Sequence, residues 1–127
     1  MQDESNQSDA TQPGVVDWSG LEAQIGDDPE VLREIVEAYT TEMRENLDLI
    51  AKLVASDGDV SEVRRRAHTL KGALRLFGAD EAAQHALELE RQAETDLSGA
   101  DAMCTRIEGS TRPVLAVLDA YVATGRR

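Results

Sequence analysis

The stretch Arg64-Arg65-Arg66-Ala67-His68-Thr69-Leu70-Lys71-Gly72-Ala73-Leu74-Arg75 places one imidazole among cations at helical spacing. At about 100° per residue, Arg64, Lys71, Gly72 and Arg75 stand at i−4, i+3, i+4 and i+7 from His68, so all four adjoin it on a helix surface. A neutral imidazole is a competent nucleophile, and flanking cations compensate the charge of an anionic electrophile. A phosphoryl group is such an electrophile, and its transfer depends mainly on positioning and charge compensation. Lys71 and Arg75 suit the phosphoryl oxygens, and Arg64 lies one turn before the ring. Gly72 leaves room beside the ring for an incoming group. Glycine within a helix costs about 1 kcal/mol relative to alanine, so its presence invites a local reason. Residues 60–78 carry five cations against Glu62 alone, a local +4 within a chain of net charge −12. A basic spot around one nucleophile complements an acidic pocket on a partner and steers encounter with it.

The elements that position this cluster are legible as apolar stripes. A short helix follows Asp17, with Trp18, Leu21 and Ile25 on one side and Gly26 ending it. Asp28-Pro29 is an N-cap followed by proline at the first helical position. From there Val31, Leu32, Ile35, Tyr39, Met43, Leu47, Ile50 and Val54 mark a long amphipathic helix ending at Ser56-Asp57-Gly58. A third helix starts at Asp59 or Ser61, carries the stripe Val60, Val63, Ala67, Leu70, Leu74 and Phe77, and closes at a left-handed Gly78. That stripe turns His68 away from the core. A fourth helix spans about Asp80 to Thr95, with Ala82, Ala86, Leu89 and Ala93 inward. A last one follows Leu97-Ser98-Gly99, and Pro113 is expected to kink it near Gly109. The expectation is an all-α fold: an antiparallel up-down four-helix bundle with an additional short N-terminal helix. Residues 1–13 are read as a disordered leader, 14–124 as the bundle and 125–127 as a flexible tail.

A chain of 127 residues is one domain. Aromatic residues make up 3% of it, so the core must be built from aliphatic side chains, which suits helices. The acidic balance argues against nucleic acid or an anionic membrane surface as partner. Cys104 is the single cysteine, so no intrachain disulfide forms. No apolar run approaches the ~18 residues of a membrane span, and the first residues lack signal-peptide character. A cytoplasmic location is expected. His85 has neither a cation cluster nor an adjacent glycine and is read as structural or surface. No metal site is expected, because no H-x-x-x-H or cysteine pair is present.

Ala67-His68-Thr69-Leu70-Lys71-Gly72, with Gly78-Ala79 after it, resembles the A-H-x-L-K-G-x-x-x-x-x-G-A signature of histidine phosphotransfer (HPt) domains. Leu89-Glu90 resembles the Leu-Glu pair these domains often carry on the next helix. The resemblance covers about residues 17–122. It implies that His68 is the phosphorylated residue, Lys71 a cation near the phosphoryl group and Gly72 the access glycine. Many members have small residues between the two glycines, whereas Arg75, Leu76 and Phe77 are bulky here, and of these only Arg75 bears on the site. The implied activity is that of a phosphorelay intermediate: a phosphoryl group passes from a receiver-domain aspartate to His68 and on to another receiver aspartate. The expected partners are response-regulator receiver domains and a hybrid histidine kinase, with no nucleic acid or membrane, and the expected state is a monomer. No intrinsic cofactor is expected, the Mg²⁺ belonging to the receiver.

Two other readings compete. A phosphoacceptor fragment of a chemotaxis-type or hybrid histidine kinase would carry a similar motif. A non-catalytic helical adaptor would make His68 incidental. A complete kinase is excluded, because Thr69 follows the histidine where that family places an acid and the chain has no room for an ATP-binding domain. The chain is therefore expected to be a phosphocarrier without autonomous kinase activity.

Overall fold

A computed structural model describes residues 15–127, and these form five α-helices with no strand among the described residues. They are α1 (Ser19–Ile25), α2 (Pro29–Ala55), α3 (Val60–Leu76), α4 (Asp80–Gln92) and α5 (Ala100–Thr124). The leader expected at 1–13 lies outside the described residues.

Helix starts follow local chemistry. The Asp28 carboxylate accepts the backbone N–H groups of Glu30 at 3.0 Å and Val31 at 3.2 Å, with Pro29 at the first helical position. Asp59, rather than Ser61, caps α3, accepting from Ser61 at 2.9 Å and Glu62 at 3.3 Å. Each such cap satisfies amides that the helix leaves orphaned and is worth about 1 kcal/mol.

At the other end of α3, the Gly78 N–H donates to the Arg75 carbonyl at 3.0 Å and the Ala79 N–H to Leu74 at 2.9 Å. With Gly78 at φ 67, this is a Schellman closure. Gly78 also meets the chain ahead of α1: the Asp17 N–H donates to the Phe77 carbonyl at 2.7 Å, and a Cβ on Gly78 would lie 2.5 Å from Asp17 Cβ.

Helix α4 stops at Gln92, three residues short of the expected Thr95. Glu94 and Thr95 donate to Arg91 and Gln92, an i−3 pattern that tightens the chain out of the α-helix. Helix α5 continues through Pro113 to Thr124 without interruption.

Helices α2 and α3, α3 and α4, α4 and α5, and α5 and α2 are in contact and enclose one core. On α2 the buried line is Leu32, Val36, Met43 and Ile50, rotated from the stripe anticipated in the sequence. Ile35, Tyr39 and Leu47 are only half-buried and Val31 is 40% exposed. The apolar band of α2 is wider than its contact with α3 and α5, and its edge overhangs. Two polar residues are buried on α2 and are satisfied: Thr40 Oγ1 donates to the Val36 carbonyl at 2.7 Å, and Asn46 Oδ1 accepts from Arg66 at 3.2 Å.

All four aromatic residues gather at one end. Trp18 stands edge-on to Phe77 at 6.1 Å and 4.9 Å from Tyr121, and Tyr39 stands edge-on to Phe77 at 5.7 Å. Trp18 and the buried Leu21 fasten α1 to the bundle through this cluster. In the tail expected to be flexible, Arg127 pairs with Glu22 and lies 5.9 Å over the Trp18 ring.

Candidate functional site

The stripe of α3 buries Val63, Ala67, Leu70 and Leu74 and turns His68 outward, where its side chain is 66% exposed. The ring is not left to rotate freely. Nδ1 lies 2.9 Å from Glu90 Oε2 on α4. An ionised carboxylate only accepts hydrogen bonds, so Nδ1 carries a proton, and in the neutral ring Nε2 keeps the lone pair on the exposed side.

Lys71 was expected on the open face beside the ring. Its side chain is instead 11% exposed, with Nζ donating to Glu90 Oε1 at 2.7 Å. Its aliphatic stem lies along the α3–α4 contact and only the ammonium reaches a polar group. One carboxylate thus holds both the histidine and the lysine. Burial pushes the Glu90 carboxyl up, but the hydrogen bonds from Lys71 and His68 outweigh it and hold the group below its ordinary value. Glu90 therefore stays ionised at neutral pH.

The local basic excess is smaller in space than in sequence. Glu62 binds Arg65 at 2.6 Å and Arg66 at 2.8 Å, and hydrogen bonds from these two guanidiniums lower its carboxyl below the usual range. Lys71 is spent on Glu90. Arg64 and Arg75 are exposed, and neither forms an ion pair among the described residues. A Cβ on Gly72 would meet nothing within 4 Å among the described residues, so no packing against them demands a glycine there.

Sequence reasoning marked Glu90 only as half of the Leu89-Glu90 pair and gave it no role at the site. The signal was present in the hairpin: His68 and Glu90 each lie eleven residues from Ala79, at the α3–α4 turn, so antiparallel packing brings them level. The other candidates do not join the site. His85 Nδ1 lies 2.9 Å from Ser110 Oγ between α4 and α5. Cys104 is half-buried, and burial first, then Asp101 and Glu108, push its thiol up, away from the reactive thiolate. Among the described residues no group of three or more His, Cys, Asp or Glu side chains is placed to hold a metal ion, and no helix is long and apolar enough to cross a membrane.

The family model for the Hpt domain matches residues 34–122. No curated protein and no solved structure matches the chain. The matched span takes in most of α2, all of α3 and α4 and nearly all of α5, with the exposed His68 and its Glu90 and Lys71 partners inside it. The chain therefore belongs to the Hpt domain family, the phosphocarriers that relay phosphoryl groups on histidine in two-component signalling.

Proposed function

We propose that His68 accepts a phosphoryl group from the aspartyl phosphate of a response-regulator receiver domain and passes it to the aspartate of a second receiver. The observation that carries this reading is the Nδ1 contact of His68 with Glu90, which leaves Nε2 as the exposed nucleophile. Nε2 attacks phosphorus, an N–P bond forms, and the P–O bond to the receiver aspartate breaks, releasing a carboxylate. The ring keeps its Nδ1 proton and gains positive charge as the bond forms. Glu90 already stands at that nitrogen to offset it. The reverse attack by a second aspartate regenerates the neutral ring.

Lys71 fixes the other carboxylate oxygen of Glu90 and so sets the angle at which Glu90 meets the ring. Gly72 keeps the approach to Nε2 open. Arg64, exposed one turn before His68, is available to phosphoryl oxygens. The receiver supplies the acidic pocket and the Mg²⁺; the chain supplies nucleophile, positive charge and docking surface, as a cytoplasmic monomer without a cofactor of its own. Helices α2 to α5 are taken to alternate up and down, an arrangement supported by their cyclic contacts and short connections.

The test is incubation with receiver domains loaded with labelled phosphate in the presence of Mg²⁺. The expected result is acid-labile, base-stable label on the wild type and none on His68→Gln. Label retained by His68→Gln would sink the assignment.

A further inference from the structure

A groove opens on the side of α3 away from Glu90, between α1, α2 and α3. One part, of about 450 Å³, is lined by Gly20, Gln24, Tyr39, Gly72, Arg75 and Leu76. The adjoining part, of about 470 Å³, shares Gln24, Tyr39 and Leu76 and adds Leu21, Ile25 and Ile35 among its walls. The shared walls make the two parts one continuous depression that begins one turn after His68. Val31, the large apolar side chain left exposed among the described residues, lies on α2 one turn before Ile35 and extends the apolar surface. The α1 wall lies outside the span matched by the family model.

Charge decides what this surface accepts. Of the five cations of α3, Arg65 and Arg66 are held by Glu62, and Lys71 by Glu90. Arg75 alone projects into the groove, exposed and without an ion pair among the described residues. The groove's other charged wall is Glu42 on α2, and it stands beyond ion-pair distance of Arg75. A carboxylate is thus attracted on the α3 side and repelled on the α2 side.

We propose that Arg75 is the partner-selecting residue: the groove takes a receiver-domain surface that presents an apolar side chain to Ile35, Tyr39 and Leu76 and a carboxylate to Arg75. Arg75 then acts on docking, while the charge of the reacting centre is met elsewhere. This inference rests on the phosphorelay reading above. It differs from that reading in what it predicts for KM.

The experiment uses the full chain and a panel of receiver domains from the source genome, each loaded with acetyl phosphate, with transfer followed as a function of receiver concentration. For the receiver that reacts best, Arg75→Glu raises KM about tenfold, the size of one well-placed charge pair at an interface rim, and leaves kcat unchanged. It also flattens the dependence of kcat/KM on ionic strength. Arg75→Lys keeps most of the affinity. Replacing the facing receiver carboxylate by lysine restores KM with Arg75→Glu. A fall in kcat at unchanged KM would assign Arg75 to the phosphoryl group and overturn the proposal, and unchanged KM and kcat would overturn it too. Absence of label on the wild type from every receiver would overturn the phosphorelay reading, and the role of Arg75 with it.

Discussion

Glu90 Oε2 lies 2.9 Å from His68 Nδ1, so the ring of the nucleophile is oriented from a different helix than the one that bears it. Removing that acceptor with Glu90→Ala frees both the tautomer and the rotamer of His68. A hydrogen bond to a charged group is worth about 1.5–3 kcal/mol, so phosphoryl transfer should slow about 10- to 100-fold. Single-turnover transfer from a loaded receiver measures it, and an unchanged rate would show that the contact does not organise the reaction.

The same carboxyl predicts a pH dependence of stability. Glu90 in the folded chain titrates below its ordinary 4.5, because Lys71 and His68 favour its ionised form. A depressed carboxyl stabilises the fold above its unfolded value, and that stability is lost as pH falls through the folded value. The deficit of Glu90→Gln relative to wild type should therefore be constant near neutral pH and shrink below about pH 4.5. Urea unfolding between pH 7 and pH 3 checks the trend. A deficit that grew on acidification would contradict it.

Gly72→Ala should separate stability from function. Its Cβ would enter open space, so the substitution removes only the entropic cost of a helical glycine and raises stability by about 0.5–1 kcal/mol. The same methyl group stands one turn from His68, on the approach to Nε2, and should slow transfer. Thermal melts and transfer rates moving in opposite directions are the expected pair of results.

Gly78→Ala should do the reverse and damage the fold. The residue sits at φ 67, and its Cβ would lie 2.5 Å from Asp17 Cβ. The left-handed conformation alone costs a non-glycine residue about 1–2 kcal/mol, and the forced shift of Asp17 adds to it. A drop of about 2 kcal/mol or more in unfolding free energy is expected.

Thr111 is fully buried on α5, and its hydroxyl has no hydrogen-bond partner among the described residues. Its i−4 acceptor, the Ile107 carbonyl, is also approached by Ser110 Oγ at 3.3 Å. Thr111→Val replaces the unsatisfied hydroxyl with a methyl group of similar size and should stabilise the protein by about 1 kcal/mol. Destabilisation would indicate that the hydroxyl finds a partner in solution.

What could be read in advance was local. Asp28, Asp59 and Gly78 announce helix ends because capping involves residues two to five apart. The outward turn of His68 follows from the single narrow stripe of α3. What was missed depends on which helices meet. Glu90 reaches His68 and Lys71 only once α3 and α4 fold about Ala79, and no spacing within either helix marks that. The wide apolar band of α2 allowed more than one inward direction, and packing against α3 and α5 selected Leu32–Val36–Met43–Ile50. The pairing of Glu62 with Arg65 and Arg66 was within reach, since i,i+3 and i,i+4 neighbours meet on any helix. Counting net charge concealed it.

The gathering of Trp18, Tyr39, Phe77 and Tyr121 into one cluster gives this protein a single optical address. Tryptophan fluorescence and near-ultraviolet dichroism arise entirely at the end of the bundle where α1 is fastened. Tyr39 belongs both to that cluster and to the wall of the groove beside Gly72. An unlabelled chain should therefore report occupancy of the groove through its own spectrum. The α3–α4 side of His68, where Glu90 and Lys71 meet, carries no chromophore and stays spectroscopically dark.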